Sequence, residues 1–218
     1  MKQNSIYEMR QDSVRKIIGA NHLNGVLFTS LENICYLCGF TGSDGAFVLT
    51  PNGSYFLCDS RYWTQADQEV KGCQIVHYKK KLDGIASLLL DLRVRKIGFE
   101  SASLTFSLHH SLLGKLTKEA ELHPLEGEIK NLRAVKDEGE MALTRTAIDL
   151  SSKAFLHIIE MLEDGVVERE VALEMEFFMK RTGVQALGFD IIIASGKRSA
   201  LPHGRASEKR IEKGDFIL

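Results

Sequence analysis

Between Gly25 and Leu125, short apolar runs rich in β-branched and aromatic residues alternate with stretches of helical period. That alternation restricts the chain to a small set of folds. Gly25-Val26-Leu27-Phe28-Thr29, Ala46 to Thr50, Ser54 to Cys58, Gln74 to Tyr78, Lys96-Ile97-Gly98-Phe99-Glu100 and Ala120 to Leu125 each have the length and composition of a strand. Tyr7 to Gly19, Asp83 to Leu92 and Thr105 to Leu116 carry helical spacing. Asp59 or Ser60 offers a cap for a further helix through Trp63 and Ala66. Pro51-Asn52-Gly53 between two apolar runs predicts a hairpin. Strands interleaved with helices and one hairpin imply a mixed α/β sheet. The expected boundaries are a first domain over 1–125, a charged linker over 126–135 and a second domain over 136–218.

Beyond the linker the period changes. Met141, Ile148, Phe155 and Leu162 recur every seven residues, with Ala147, Ala154 and Ile158 on the same side. The stripe predicts one long helix packed on a sheet, with Asp137, Glu138 and Glu140 placing negative charge at its first turn. A second helix is expected from Glu168 to about Thr182, burying Val171, Met175, Phe178 and Leu173 and ending at Gly183. Val167 precedes its first residue. Phe189 to Ala194 reads as a buried strand. It is followed by a loop with Lys197, Arg198, Pro202, His203, Gly204 and Arg205, and Asp215 to Leu218 starts another apolar run.

Several function classes are disfavoured. A formal net charge of −1 provides no field to recruit nucleic acid or an anionic membrane. Lys79-Lys80-Lys81 is too short to act as a binding patch, and no stretch has the length of a membrane span. The polar start of the chain is unlike a secretion signal, so a cytoplasmic location is expected. Cys35 and Cys38 have the spacing of a redox or zinc pair, but no second pair follows, and reduced, mostly buried thiols are expected. The glycines at 39, 42 and 45 suit a tight turn with positive φ better than a phosphate cradle. His22, His77, His109, His110, His123 and His157 have no ligand spacing.

Ala194-Ser195-Gly196, Ser199-Ala200-Leu201-Pro202-His203-Gly204 and Lys213-Gly214-Asp215 together resemble the aminopeptidases P and prolidases, metallopeptidases of the pita-bread fold. Tyr36 to Gly45 and Asp59-Ser60-Arg61-Tyr62 resemble the amino-terminal domain of the same enzymes, and Asn131 to Lys136 resembles their lead into the catalytic domain. The resemblance implies a creatinase/prolidase-type mixed-sheet domain followed by the first part of an α+β pita-bread domain. It implies hydrolysis of the bond before proline by water activated between two divalent metal ions (Mn, Co or Zn), acting on a peptide with proline at its second position.

The implied ligands are two Asp, one His and two Glu, the first of them just beyond Phe216-Ile217-Leu218. No metal ligand is therefore expected in this chain, neither Asp190 nor Asp215. A metal-free, inactive fragment of a longer enzyme is expected. By the same resemblance His203 is the catalytic residue that contacts substrate, and Phe189 and Trp63 line the substrate pocket. A half-built second sheet would expose an edge and the apolar face of the Met141–Leu162 helix, so a homodimer is expected. The competing expectation is a non-catalytic peptide- or protein-binding module of the same fold.

Overall fold

A computed structural model describes residues 6–218. The chain folds into two compact units, divided between Val135 and Lys136.

The first unit is built on a six-stranded sheet: β1 (Gly25–Phe28), β2 (Ala46–Leu49), β3 (Ser54–Cys58), β4 (Gln74–His77), β5 (Lys96–Glu100) and β6 (Glu121–Leu125). Its spatial order is β4-β3-β2-β1-β5-β6. β1 and β3 each pair antiparallel with β2, while β1–β5, β5–β6 and β3–β4 are parallel. The sheet is therefore mixed, as the alternation of strands and helices predicted. The hairpin joins β2 to β3, with the Thr50 amide donating to the Gly53 carbonyl at 2.8 Å.

Alternation along each strand creates two cores. Val26, Phe28, Phe47, Leu49 and Phe56 face one side. There they meet α1 (Ile6–Ala20) through Val14 and Ile18, and α2 (Leu31–Cys38) through Ile34 and Leu37. Leu27, Val48, Leu57 and Ile97 face the other. That side is covered by α4 (Lys81–Asp91) through Ile85 and Leu89, and by α5 (Phe106–Leu113) through Leu112. β1 and β2 are buried along their whole length, which explains why they read as continuous apolar runs.

β6 forms an outer edge and contains Pro124. The Glu121 amide donates inward to the Arg95 carbonyl at 2.7 Å. With a period of two, the position of Pro124 is one whose amide would point outward, so its missing N–H costs the ladder nothing.

Local expectations are corrected at several points. The third helix, α3 (Trp63–Glu69), begins later than expected, with Tyr62 at its cap and no side-chain cap bond. Asp59 instead accepts from the Arg61 amide at 3.0 Å and from its guanidinium at 2.8 Å. Residues expected as a linker include a short helix, α6 (Gly127–Leu132), whose Ile129 is buried in the first core. The Tyr36 hydroxyl donates to its Leu132 carbonyl at 3.1 Å.

Among the turn glycines only Gly39 has positive φ, at 83°. It closes α2 by donating its amide to the Cys35 carbonyl at 2.8 Å. Gly42 and Gly45 are required by close approach instead. A Cβ at Gly42 would lie 2.3 Å from Cζ of Phe40, and one at Gly45 2.8 Å from Cε2 of Phe56. Phe40 is fully buried and packs against Phe56, with ring centroids 4.4 Å apart, so it has no room to retreat. Gly42→Ala is expected to cost about 1–3 kcal/mol by overpacking, although its backbone is unstrained. Urea unfolding of the variant checks this, and an unchanged midpoint would refute it.

The second unit contains two long helices, α7 (Glu138–Met161) and α8 (Glu168–Arg181). Asp137 and Glu140 form a reciprocal capping box at the start of α7. The seven-residue stripe does not bury on a sheet as expected. Ile148 and Phe155 are 60% and 59% exposed, while Ala154 and Ile158 are the buried positions of α7. Its neighbour is α8, and Ile158 packs in a small core with Val171, Ile193 and Ile211.

On α8, Val171 is buried as expected but Leu173 is exposed. Val167 has no side-chain cap, and its own amide is accepted by Glu170 at 3.4 Å. The run from Phe189 to Ala194 is not a continuous strand. Within it only Ile192 forms an isolated bridge, with Arg205, and the residue that follows the run, Ser195, bridges to Ile217. Phe189 and Asp190 lie outside this pairing and are exposed.

Candidate functional site

The candidate site is assembled around one carboxylate in the second unit. Glu168 stands at the first position of α8, where the free amides of the helix favour negative charge, yet its side chain is fully buried. Burial is tolerated because five donors surround it. Oε1 accepts from the Ser195 amide at 2.7 Å and the Ser195 hydroxyl at 2.9 Å. Oε2 accepts from the Ser207 hydroxyl at 2.6 Å, the Ser207 amide at 3.1 Å and Arg198 Nε at 3.2 Å. Burial alone would raise its pKa, but the bonds from Ser207 and Ser195 outweigh it and hold the carboxyl down at about 2.

Ser195 and Ser207 bracket the loop that carries Pro202-His203-Gly204, so one carboxylate ties both ends of that loop to α8. Arg198 adds a third tie by donating to the Arg205 carbonyl at 2.7 Å. Gly204, the residue after His203, is buried, and a Cβ there would lie 3.2 Å from that of Ala194. The loop therefore packs directly on the Ile191–Ala194 segment, with His203 exposed at its turn.

Beside the loop lies an apolar cavity of about 460 Å³. Met175 and Met179 of α8, Phe189, Ile191, Ile192 and Pro202 are among its lining residues. Of the expected pocket residues, Phe189 thus lines this cavity while remaining 80% exposed, and His203 is the immediate neighbour of a lining residue. Trp63 belongs to the first unit, where it stacks on His77 with ring centroids 4.4 Å apart.

Asp215 lies in the turn at Gly214, where its carboxylate accepts from the Glu212 amide at 3.0 Å and from Lys209 at 2.5 Å. Asp190 is exposed and within 3.7 Å of Arg205. Among the described residues, no group of three or more His, Cys, Asp or Glu is placed to hold a metal ion.

Sequence reasoning missed Glu168 as the organiser of this site. Its signal was present but faint: an acidic residue opening a helix whose cap position has no acceptor, with serines on the loops that return to it.

Residues 10–135 match the creatinase/prolidase N-terminal domain family, and residues 142–218 match metallopeptidase family M24. The chain belongs to the prolidase and aminopeptidase P family. It is 33% identical over 223 residues to an Xaa-Pro dipeptidase of Pyrococcus horikoshii, covering 97% of this chain and 60% of that relative. A solved Xaa-Pro dipeptidase from Bacillus anthracis superposes with a TM-score of 0.92 at 35% identity, over 97% of this chain and 59% of that one. An X-Pro aminopeptidase structure from Thermotoga maritima gives a TM-score of 0.85 at 32% identity, covering 94% and 59%. The chain thus spans about three-fifths of the length of the family members it matches. The mixed sheet of the first unit is the family's amino-terminal domain, and the second unit matches part of its pita-bread domain. Among the described residues no helix is long and apolar enough to cross a membrane.

Proposed function

We propose that this protein serves in hydrolysis of the peptide bond before proline, and that the 218-residue chain by itself does not turn over such peptides. The observation that carries the reading is the loop held by Glu168, which presents His203 next to an apolar cavity lined by Phe189 and Pro202. A cavity of this character suits the pyrrolidine ring of a peptide with proline at its second position. His203 is assigned as the donor to the scissile carbonyl oxygen, a role that a neutral imidazole fills by donating from one ring nitrogen. Phe189 is assigned to packing against the substrate. The divalent ions of the family, taken as Mn, Co or Zn, are assigned to residues other than those described.

The test is an assay of the purified chain with an Xaa-Pro dipeptide and an Xaa-Pro-containing tripeptide, with and without added Mn²⁺, followed by metal analysis after dialysis. No release of product and no stoichiometric metal is the expected result. Turnover accompanied by about two metal ions per chain would overturn the assignment of ligands elsewhere.

A further inference from the structure

Two cavities of the first unit lie outside the site described above, at the carboxyl ends of the parallel strands β3 and β4. In open α/β sheets ligands gather at such ends. β3 closes at the buried thiol of Cys58; Cys35, on α2, is exposed, contrary to the expectation of mostly buried thiols. One cavity, of about 530 Å³, is lined by Asp59 and Arg61 after β3, by Trp63 of α3, and by His77, Tyr78 and Lys79 at the end of β4. The other, of about 410 Å³, shares His77, Tyr78 and Lys79 and continues past Lys80 to Asp83 at the start of α4.

Three observations mark the junction of the two cavities. First, Tyr78 is only 7% exposed, and its hydroxyl has no hydrogen-bond partner among the described residues. A buried donor in that state is costly and uncommon. Burial, and after it the negative charges of Asp44 and Asp59, raises its pKa well above the ordinary value, so it remains a donor. Second, Trp63 is 42% exposed and stacks on His77 with ring centroids 4.4 Å apart, which leaves an aromatic surface for a further ring. Third, the cations outnumber the free acids. Asp59 is held by Arg61 at 2.8 Å and Asp83 by Lys115 at 2.7 Å, whereas Lys79 and Lys80 are exposed and have no ion pair among the described residues. Asp91 also lines the second cavity, but it closes α4, about 15 Å along the helix from Lys81. The first turn of α4 adds its amides, because the cap residue Lys80 supplies no side-chain acceptor.

We propose that this junction binds a nucleoside monophosphate, with the base stacked on Trp63 and the phosphate accepting from the Tyr78 hydroxyl, Lys79 and Lys80. The lysine run is too short to act as a patch by itself, but here it stands beside a stacking platform and a hydroxyl donor. His77, beneath the platform, and Lys79 are two residues apart, at most about 7 Å of chain. A ribose bridges that separation between a base and its 5′-phosphate. Stacking on an aromatic side chain tolerates any base, so the ring and the phosphate are what the site selects. The site is independent of the hydrolysis proposed above and needs no metal.

The experiment is titration of the chain with adenosine 5′-monophosphate, followed by tryptophan fluorescence and by calorimetry. Trp63 is the only tryptophan of the sequence, so its emission reports on this site alone. Saturable quenching is expected, with adenosine and inorganic phosphate each binding at least about tenfold more weakly. The double variant Lys79→Ala/Lys80→Ala, at exposed positions that leave the fold intact, should bind about tenfold more weakly. Tyr78→Phe should weaken binding by about the same factor while its melting temperature stays level or rises, since the lost hydroxyl has no partner in the free chain. No saturable response by either method would overturn the proposal. So would inorganic phosphate binding as tightly as the nucleotide, the mark of an adventitious ion only, or nucleotide binding unaffected by Tyr78→Phe and by the double lysine variant.

Discussion

Glu168→Ala should lower the stability of the second unit by about 3–5 kcal/mol, the cost of removing one partner from a buried charged cluster. The five donors that converge on this carboxylate come from Ser195, Ser207 and Arg198. Glu168→Gln is the sharper variant. It keeps shape and volume, but its amide NH₂ would face donors where an oxygen now accepts, leaving at least one buried donor unpaired.

The pH dependence separates the charge from the packing. The carboxyl is held at about 2 in the fold against an ordinary value of 4.5. A depressed folded pKa means that its contribution is fully present above about pH 4.5 and disappears as pH falls toward 2. Wild-type chain should therefore lose stability across that window more steeply than the Gln variant. Hydrogen exchange at the Ser195 and Ser207 amides reports the effect at the site itself. Equal protection and parallel pH profiles in the two proteins would contradict the assignment of Glu168 as the tie of the loop.

A comparable loss is expected in the first unit from Phe56→Ala, about 3–5 kcal/mol for a buried Phe. Phe56 is fully buried in the middle of β3, its ring against Phe40 and close enough to Gly45 to exclude a Cβ there. This geometry makes the two positions interdependent. Gly45→Ala alone should destabilise, because its methyl would meet the Phe56 ring. In the Phe56→Ala background the same methyl enters the vacated space, and its cost should fall to near zero. Denaturant titration of the four proteins gives the coupling directly. Strict additivity would mean that the ring is not what makes glycine necessary at 45. Because the chain has two units, the transition of the first must be followed by probes within it.

The sheet of the first unit was legible because β1, β2 and β3 are apolar along their length and the hairpin signal at Asn52-Gly53 fixes one connection. The family was legible from the Pro202-His203-Gly204 loop together with Asp59-Ser60-Arg61-Tyr62. Less legible was what depends on the third dimension. The stripe on α7 has the right period for a helix and its side does include the buried Ala154 and Ile158, but periodicity does not say how much of a face finds a partner, and Ile148 and Phe155 stay exposed. The Phe189–Ala194 run has the composition of a strand, whereas strands are defined by their neighbours, and here pairing is confined to isolated bridges. Gly42 and Gly45 read as turn residues because glycine at such positions is ordinarily a matter of φ. The reason is steric, and the phenyl rings responsible are neighbours in space that the local sequence leaves ambiguous. Glu168 was hidden for the same reason, since its donors come from residues 27 to 39 positions away.

Pro124 has a consequence for how molecules of this protein meet one another. A strand at the rim of a sheet offers its outward amides and carbonyls as a template for a strand from another chain. On β6 the second outward amide is missing, so an added strand would find a gap in the ladder where it most needs a donor. One rim of the sheet is thereby shielded from edge-to-edge polymerisation. Growth by strand addition would have to start at β4, the opposite rim, which contains no proline and whose end residues Gln74 and His77 are exposed.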